Sequence, residues 1–122
     1  INVISTSVRE PLPNLGVSNT IRGATASWAK TLSKELPPHV TINNVLPGAT
    51  ATERLEAIER ATAAKTGKSL AEVQADMVRV IPEGRVADPR ETAALIAFLA
   101  GPHAAYLRGQ SIAVDGGRMN AI

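Results

Sequence analysis

The stretch VTINNVLPGATATE, residues 40–53, changes its pattern twice in quick succession. Val40 to Leu46 is short and rich in β-branched residues, which fits a strand, and Pro47-Gly48 stops it. Thr50-Ala51-Thr52-Glu53 then matches the capping box, in which a hydroxyl accepts from an orphan amide and a Glu three positions on reaches back. A helix is therefore expected to open there. Upstream, between Val17 and Leu36, apolar residues recur at Ile21, Ala24, Trp28, Leu32 and Leu36, a spacing of three and four that builds one stripe on a helix. Pro37-Pro38 ends that helix. Before it, Ile1 to Ser5 is another short β-branched run, bounded by Pro11 and Pro13. Strand, helix, strand makes one βαβ unit, whose parallel pair needs the crossover and whose handedness is expected to be right.

Downstream, Leu55, Ile58 and Ala61 form the apolar edge of the helix that opens after Pro47-Gly48, and Gly67 is its expected stop. Ser69-Leu70-Ala71-Glu72 repeats the capping pattern before Val73, Met77 and Val80, so the middle of the chain reads as a helical hairpin. Asp88-Pro89-Arg90-Glu91 places an N-cap, a first-turn Pro and a Glu in the order that starts a last helix, with the stripe Leu95, Ile96 and Leu99 and an end at Gly101-Pro102. Gly109 turns the chain into a third strand, Ser111 to Val114, closed by Gly116-Gly117. Three short strands separated by helices give an α/β fold with a parallel sheet and flanking helices. The first strand then has an open edge unless something pairs with it.

The chain has 122 residues, 44% hydrophobic and 20% charged, with 13 Lys+Arg against 11 Asp+Glu, the profile of one soluble globular unit. A net charge of +2, spread from Arg9 to Arg118, lacks the massed basic footprint of a nucleic-acid binder. Trp28, Phe98 and Tyr106 are the only aromatic residues, too few for a base-stacking platform. The absence of cysteine excludes a thiolate zinc site and a cysteine nucleophile and fits a cytoplasmic setting. His39 and His103 each follow a Pro in a turn, with no partner at ligand spacing, so no metal site is expected. No membrane partner is expected either. Ile1-Asn2-Val3-Ile4-Ser5 lacks the basic and long apolar regions of a signal peptide and reads as a strand already under way, with part of the machinery upstream.

Taken in order, Asn2-Val3-Ile4-Ser5, the Leu12-Pro13 turn, Asn43-Asn44-Val45-Leu46-Pro47-Gly48, Gly84-Arg85 before Asp88-Pro89, and Gly109-Gln110 with Val114-Asp115-Gly116-Gly117 resemble the short-chain dehydrogenase/reductase family. The resemblance runs along essentially the whole chain and is to the C-terminal half of the family's doubly wound, Rossmann-like parallel sheet. It implies a single partial Rossmann-like domain over 1–122, a substrate-covering helical region over 49–88, and an N-terminal nucleotide-binding half lying outside this sequence. It implies an NAD or NADP cofactor, a small carbonyl or alcohol substrate, hydride transfer between them, and a homodimer or homotetramer. The family's glycine-rich turn for the pyrophosphate has no counterpart among the nine glycines, so the choice between NAD and NADP is not legible.

The family's catalytic Ser, Tyr and Lys positions hold Ser5, Ser18 and Arg22. Ser18 replaces a phenol whose pKa of ~10 a neighbouring cation draws toward neutrality, whereas an aliphatic hydroxyl is far harder to ionise. Arg22 keeps the positive charge for a cofactor oxygen but does not deprotonate, so it cannot pass protons along a relay. Pro47, Gly48, Thr50 and Thr52 match the stretch that meets the nicotinamide. Each has a plainer reading: Ser5 ends a strand, Ser18 caps a helix, Arg22 makes a surface ion pair, and Thr50 and Thr52 cap a helix. Trp28 is read as core or subunit packing, and Tyr106 as a packing residue beside the last strand. The rival to an oxidoreductase is a non-catalytic relative that binds a nucleotide or assembles with other subunits.

Overall fold

Backbone pairing in the computed structural model, which describes residues 1–121, centres on one three-stranded sheet. The strands are β1 (Asn2–Val3), β2 (Asn44–Pro47) and β3 (Ser111–Val114), in the order β1-β2-β3 with both pairs parallel. Helices α1 (Gly16–Glu35), α2 (Glu53–Thr66), α3 (Leu70–Arg79) and α4 (Pro89–Ala100) supply the crossovers and flanks. The α/β class and the parallel sheet are those expected from the sequence.

A buried polar ladder sets the register. Asn2 Nδ2 donates to Asn44 Oδ1 at 2.9 Å, and Asn44 Nδ2 donates to Ser111 Oγ at 3.0 Å, so one residue from each strand is tied across the sheet. Asn43 is buried and uses both ends of its amide: Nδ2 donates to the Leu107 carbonyl at 2.8 Å, and Oδ1 accepts from Gln110 N at 3.0 Å. Such a group is stabilising only when fully partnered. Val45, next on β2, lies in a cluster with Leu99 and Ala104, packed by Leu95, Ile96, Leu107, Ile112 and Val114. Leu46, on the opposite face by strand alternation, is also wholly buried.

Several boundaries differ from expectation for local reasons. β1 is only two residues long, because the Ser5 hydroxyl accepts from Ser7 N at 3.1 Å and turns the chain into a 3₁₀ turn over Thr6–Val8. β2 begins at Asn44 rather than Val40 and includes Pro47. The Thr50-to-Glu53 box does not form: Thr52 is the N-cap, accepting from Leu55 N at 3.3 Å, and Thr50 instead bridges to Ala87. The other three helix signals hold. Gly67 caps α2 in the left-handed region at φ 73°, and the capping boxes of Ser69 with Glu72 and of Asp88 with Glu91 both form.

The largest departure is on α1. The first part of its expected apolar stripe faces outward, with Ile21 at 62% and Trp28 at 56% exposure, Leu32 and Leu36 are half-buried, and Ala29 and Ser33 are the buried positions. Small side chains are required there because the chain at 108–109 passes close by: Arg108 Nε donates to the Ser33 carbonyl at 2.5 Å, and a Cβ on Gly109 would strike the Ser33 side chain. A bulky stripe would hold that segment off. Tyr106 likewise projects fully into solvent and packs on nothing.

Candidate functional site

β1 and β2 are adjacent and parallel, so their C-terminal ends deliver Ser5 and Pro47-Gly48 to the same edge of the sheet, where parallel α/β sheets bind ligands. A groove of about 400 Å³ opens there. It brings together Ser5, Arg22, Pro47, Gly48, Thr50 and Thr52, with Leu55 and Ile58 from α2 and Pro89 and Thr92 from α4 on its sides. Ser18 does not line it. That residue lies in an adjoining cleft with Ile4, Ile21 and Thr25, and Arg22 lines both spaces.

Arg22 is held from two directions. Its Nε donates to Ser18 Oγ at 3.0 Å, one helical turn back, and its Nη1 donates to the Ile4 carbonyl at the end of the β1 segment. The guanidinium is thereby fixed against the strand end. Ser18 is not the helix cap: α1 opens at Gly16 after Leu15, which makes no side-chain cap, and Ser18 sits in the first turn. Both serines spend an acceptor site and keep their own hydroxyl hydrogen available, Ser5 by accepting from Ser7 N and Ser18 by accepting from Arg22.

The Pro47–Thr52 segment is fixed by close approach. Gly48 N donates to the Val114 carbonyl at 2.9 Å, and a Cβ on Gly48 would lie 2.8 Å from Asp115 Cβ and 2.9 Å from its Cα. Ala51 N donates to the Ala87 carbonyl at 2.9 Å and Ala87 N to the Ala49 carbonyl at 3.0 Å, which closes the base of the α2–α3 hairpin over residues 49–88. Thr52 caps α2, and Thr50 Oγ1 donates to the Gly48 carbonyl at 3.2 Å. The capping reading of Thr52 therefore stands beside its place on the groove wall.

Behind the groove, Arg85 makes a bidentate pair with Glu91, at 2.8 Å and 2.7 Å, while Glu91 also accepts from Asp88 N at 2.8 Å. The Arg85 hydrogen bonds and the Asp88 amide hold the Glu91 carboxyl down at about 2, and Glu91 in turn raises Arg85. This pairing explains the Gly84-Arg85 and Asp88-Pro89 landmarks as structural: they anchor the start of α4. His39 and His103 are exposed. Ala49, Thr92 and Arg54 line the groove without having been singled out in the sequence, and Arg54 is the charged one among them. Arg54 lines the wall beside Leu55 and Ile58, and its only signal was a cation in the first turn of a helix.

Among the described residues, no acidic one lines the groove. It therefore suits an electron-rich ligand, with hydroxyl and guanidinium donors at the strand ends and apolar walls above them.

Residues 1–119 match the family model described as enoyl-(acyl carrier protein) reductase. The NADPH-dependent reductase BacG of Bacillus subtilis is 35% identical over 123 residues, covering all of this chain and 48% of that protein. Among solved structures, YwfH, an NADPH-dependent reductase involved in bacilysin biosynthesis, superimposes with a TM-score of 0.92 at 33% identity, over 99% of this chain and 46% of that one. An NADPH-bound short-chain oxidoreductase from Pseudomonas aeruginosa, described as containing an atypical catalytic center, gives 0.81 at 28% identity over 98% of this chain and 45% of its own. The chain spans about half the length of the curated relatives it matches. Sheet order, strand-end groove and these matches along its whole length agree, and the chain belongs to the short-chain dehydrogenase/reductase family.

Proposed function

We propose that the full-length protein is an NAD(P)-dependent oxidoreductase acting on a small carbonyl or alcohol substrate, with the strand-end groove as the half of the active site that this chain contributes. The observation that carries the reading is the shared position of Ser5, Arg22 and Pro47–Thr52 on one acid-free groove. The residues fit a nicotinamide cofactor: the missing Cβ at Gly48 lets Pro47–Thr52 sit tight against Asp115, and the groove holds hydroxyls and a fixed cation but no carboxylate to repel phosphate. NADPH is the cofactor to assay first, because BacG and YwfH are both described by it. When bound, the cofactor supplies or accepts the hydride.

In this reading Ser5 donates its hydroxyl hydrogen to the carbonyl oxygen and stabilises the negative charge that develops there. Arg22 holds a cofactor oxygen. Ser18, with its hydroxyl hydrogen free, holds the water that delivers the proton, since guanidinium does not deprotonate. Leu55 and Ile58 exclude bulk water from the groove. The Pro47, Gly48, Thr50 and Thr52 segment meets the nicotinamide side, with the backbone groups of Pro47-Gly48 as its contact. The 49–88 hairpin, hinged at the Thr50–Ala87 bridge, covers the substrate.

In this reading the exposed apolar residues supply surface for subunit pairing. Val17, Ile21 and Trp28 are exposed along α1, and Phe98 on α4 and Tyr106 after it are exposed as well, which supports a reading as a homodimer or homotetramer. No helix among the described residues is long and apolar enough to cross a membrane. A cytoplasmic enzyme accords with the cysteine-free sequence.

The test is steady-state hydride transfer by the full-length protein over a panel of carbonyls and alcohols. Ser5→Ala is expected to lower kcat about 10²- to 10³-fold, the cost of one lost oxyanion donor. Ser18→Ala is expected to lower kcat while leaving the cofactor Kd unchanged. The replacement of Tyr and Lys by Ser18 and Arg22 favours one second reading, a non-catalytic nucleotide-binding or assembly protein. Measurable cofactor binding without turnover on any member of the panel would select it.

A further inference from the structure

The two cations on the groove differ in how they are used. Arg22 is already held through Nε and Nη1 by Ser18 and the Ile4 carbonyl, which leaves Nη2 for a ligand, whereas Arg54 makes no hydrogen bond and no ion pair among the described residues. Its neighbours in sequence offered partners. Glu53 and Glu56 flank it on α2, but with Glu59 they line a neighbouring groove against α3, which adjoins this one at Thr52 and Leu55. Glu56 pairs there with Arg60 at 2.7 Å. Arg54 pairs with none of these carboxylates and lines the strand-end groove with Leu55 and with Ile58 one turn on.

Its position is also locally unfavourable. α2 starts at Glu53, so Arg54 stands in the first turn, against the partial positive charge of the helix N-terminus. Glu53 and Glu56 follow the usual preference for acids there; Arg54 opposes it with no compensating contact. A cation kept at that end, unpaired, beside apolar residues and on an acid-free groove, is arranged for an anion that arrives from outside.

We propose that Arg54 recognises a carboxylate on the substrate, so that the substrate is an anionic carbonyl compound with an apolar body, of which a branched-chain α-keto acid is the simplest form. The proposal rests on the oxidoreductase reading of the same groove. Leu55, Ile58 and Pro47 receive the apolar body, and Arg54 fixes the charged end relative to Ser5. The other source of an anion at this place is a cofactor phosphate, and the experiment separates the two.

Full-length protein is compared with Arg54→Ala and Arg54→Lys. Isothermal titration gives the Kd of isocaproate, an unreactive carboxylate, and of isocaproamide, its neutral match; fluorescence gives the Kd of NADPH. Arg54→Ala is expected to weaken isocaproate about 10- to 100-fold, the range for a charge-assisted contact. The amide and NADPH are expected to bind unchanged, with Arg54→Lys restoring part of the loss. KM for the α-keto acid is expected to rise in the same proportion, with kcat little altered. Equal weakening of carboxylate and amide, no wild-type preference for the carboxylate, or weakening of NADPH instead would each overturn the proposal. Binding is read without turnover, so a protein that prefers the carboxylate through Arg54 yet transfers no hydride would refute the oxidoreductase reading alone.

Discussion

Replacing Gly48 by Ala tests how the groove is held in place. A Cβ there would lie 2.8 Å from Asp115 Cβ and 2.9 Å from Asp115 Cα, and the second is backbone that cannot swing aside. Carbon atoms rest at about 3.5–4.0 Å, so the ends of β2 and β3 must separate by roughly 0.7 Å. Overpacking of this kind costs about 1–3 kcal/mol. The same movement strains the hydrogen bond from Gly48 N to the Val114 carbonyl and displaces Pro47 and Thr50, so cofactor affinity falls together with stability. Urea denaturation of the full-length protein and a fluorescence titration with NADPH measure the two effects. Gly16→Ala is the control, because a Cβ at that position meets nothing within 4 Å; it is expected to be neutral or to stabilise by about 0.4–1 kcal/mol. A Gly48→Ala protein with unchanged urea midpoint and unchanged NADPH Kd would refute the close-approach argument.

Three further outcomes are expected. Leu46→Ala, at a wholly buried strand position, lowers stability by about 2–5 kcal/mol, read from urea denaturation. Glu91 has its carboxyl lowered from the ordinary 4.5 to about 2 by Arg85 and the Asp88 amide, so its contribution to stability is present above pH 4.5 and is lost as the pH falls toward 2. Glu91→Gln therefore flattens the pH dependence of the melting temperature in that window and leaves its slope above pH 5.5 unchanged. Arg22→Ala removes the link between Ser18 and the Ile4 carbonyl and is expected to weaken NADPH about 10-fold or more, whereas Arg22→Lys, lacking the guanidinium fork, restores only part of the affinity.

How far the sequence reveals the fold differs from element to element. Asp88-Pro89-Arg90-Glu91 and Ser69-Leu70-Ala71-Glu72 are local signals whose partners lie within three residues, and both helices start where those signals put them. Gly67 works the same way. The outward stripe of α1 could not be read, because which face is buried depends on Arg108 and Gly109, more than 70 residues away, and periodicity records only that a stripe exists. Thr50 and Thr52 show a related limit. Both fit the cap pattern, and the pairing of Ala51 with Ala87 decides that Thr52 takes the role.

The site divides along the same line. The resemblance singles out Ser5, Arg22, Pro47, Gly48, Thr50 and Thr52, and the parallel pairing of β1 with β2 brings them to one groove. Ser18 belongs to the adjoining cleft and reaches the groove through Arg22, an arrangement that spacing along a helix does not reveal. Arg54 escaped because nothing local separates a solvated surface cation from one turned into a groove. Its distinguishing property is the absence of a partner, and that property exists only in three dimensions.

The proposed role of the strand-end groove is to bring a nicotinamide and a carbonyl carbon together for hydride transfer. Deuterium-labelled NADPH is incubated with the full-length protein and a branched-chain α-keto acid, and the product is read by mass spectrometry. Deuterium is expected on the former carbonyl carbon with the wild-type protein, and Ser5→Ala is expected to slow its appearance by about 10²-fold or more. Labelled product formed equally fast by Ser5→Ala, or bound NADPH whose deuterium never reaches any carbonyl in the panel, would contradict that role.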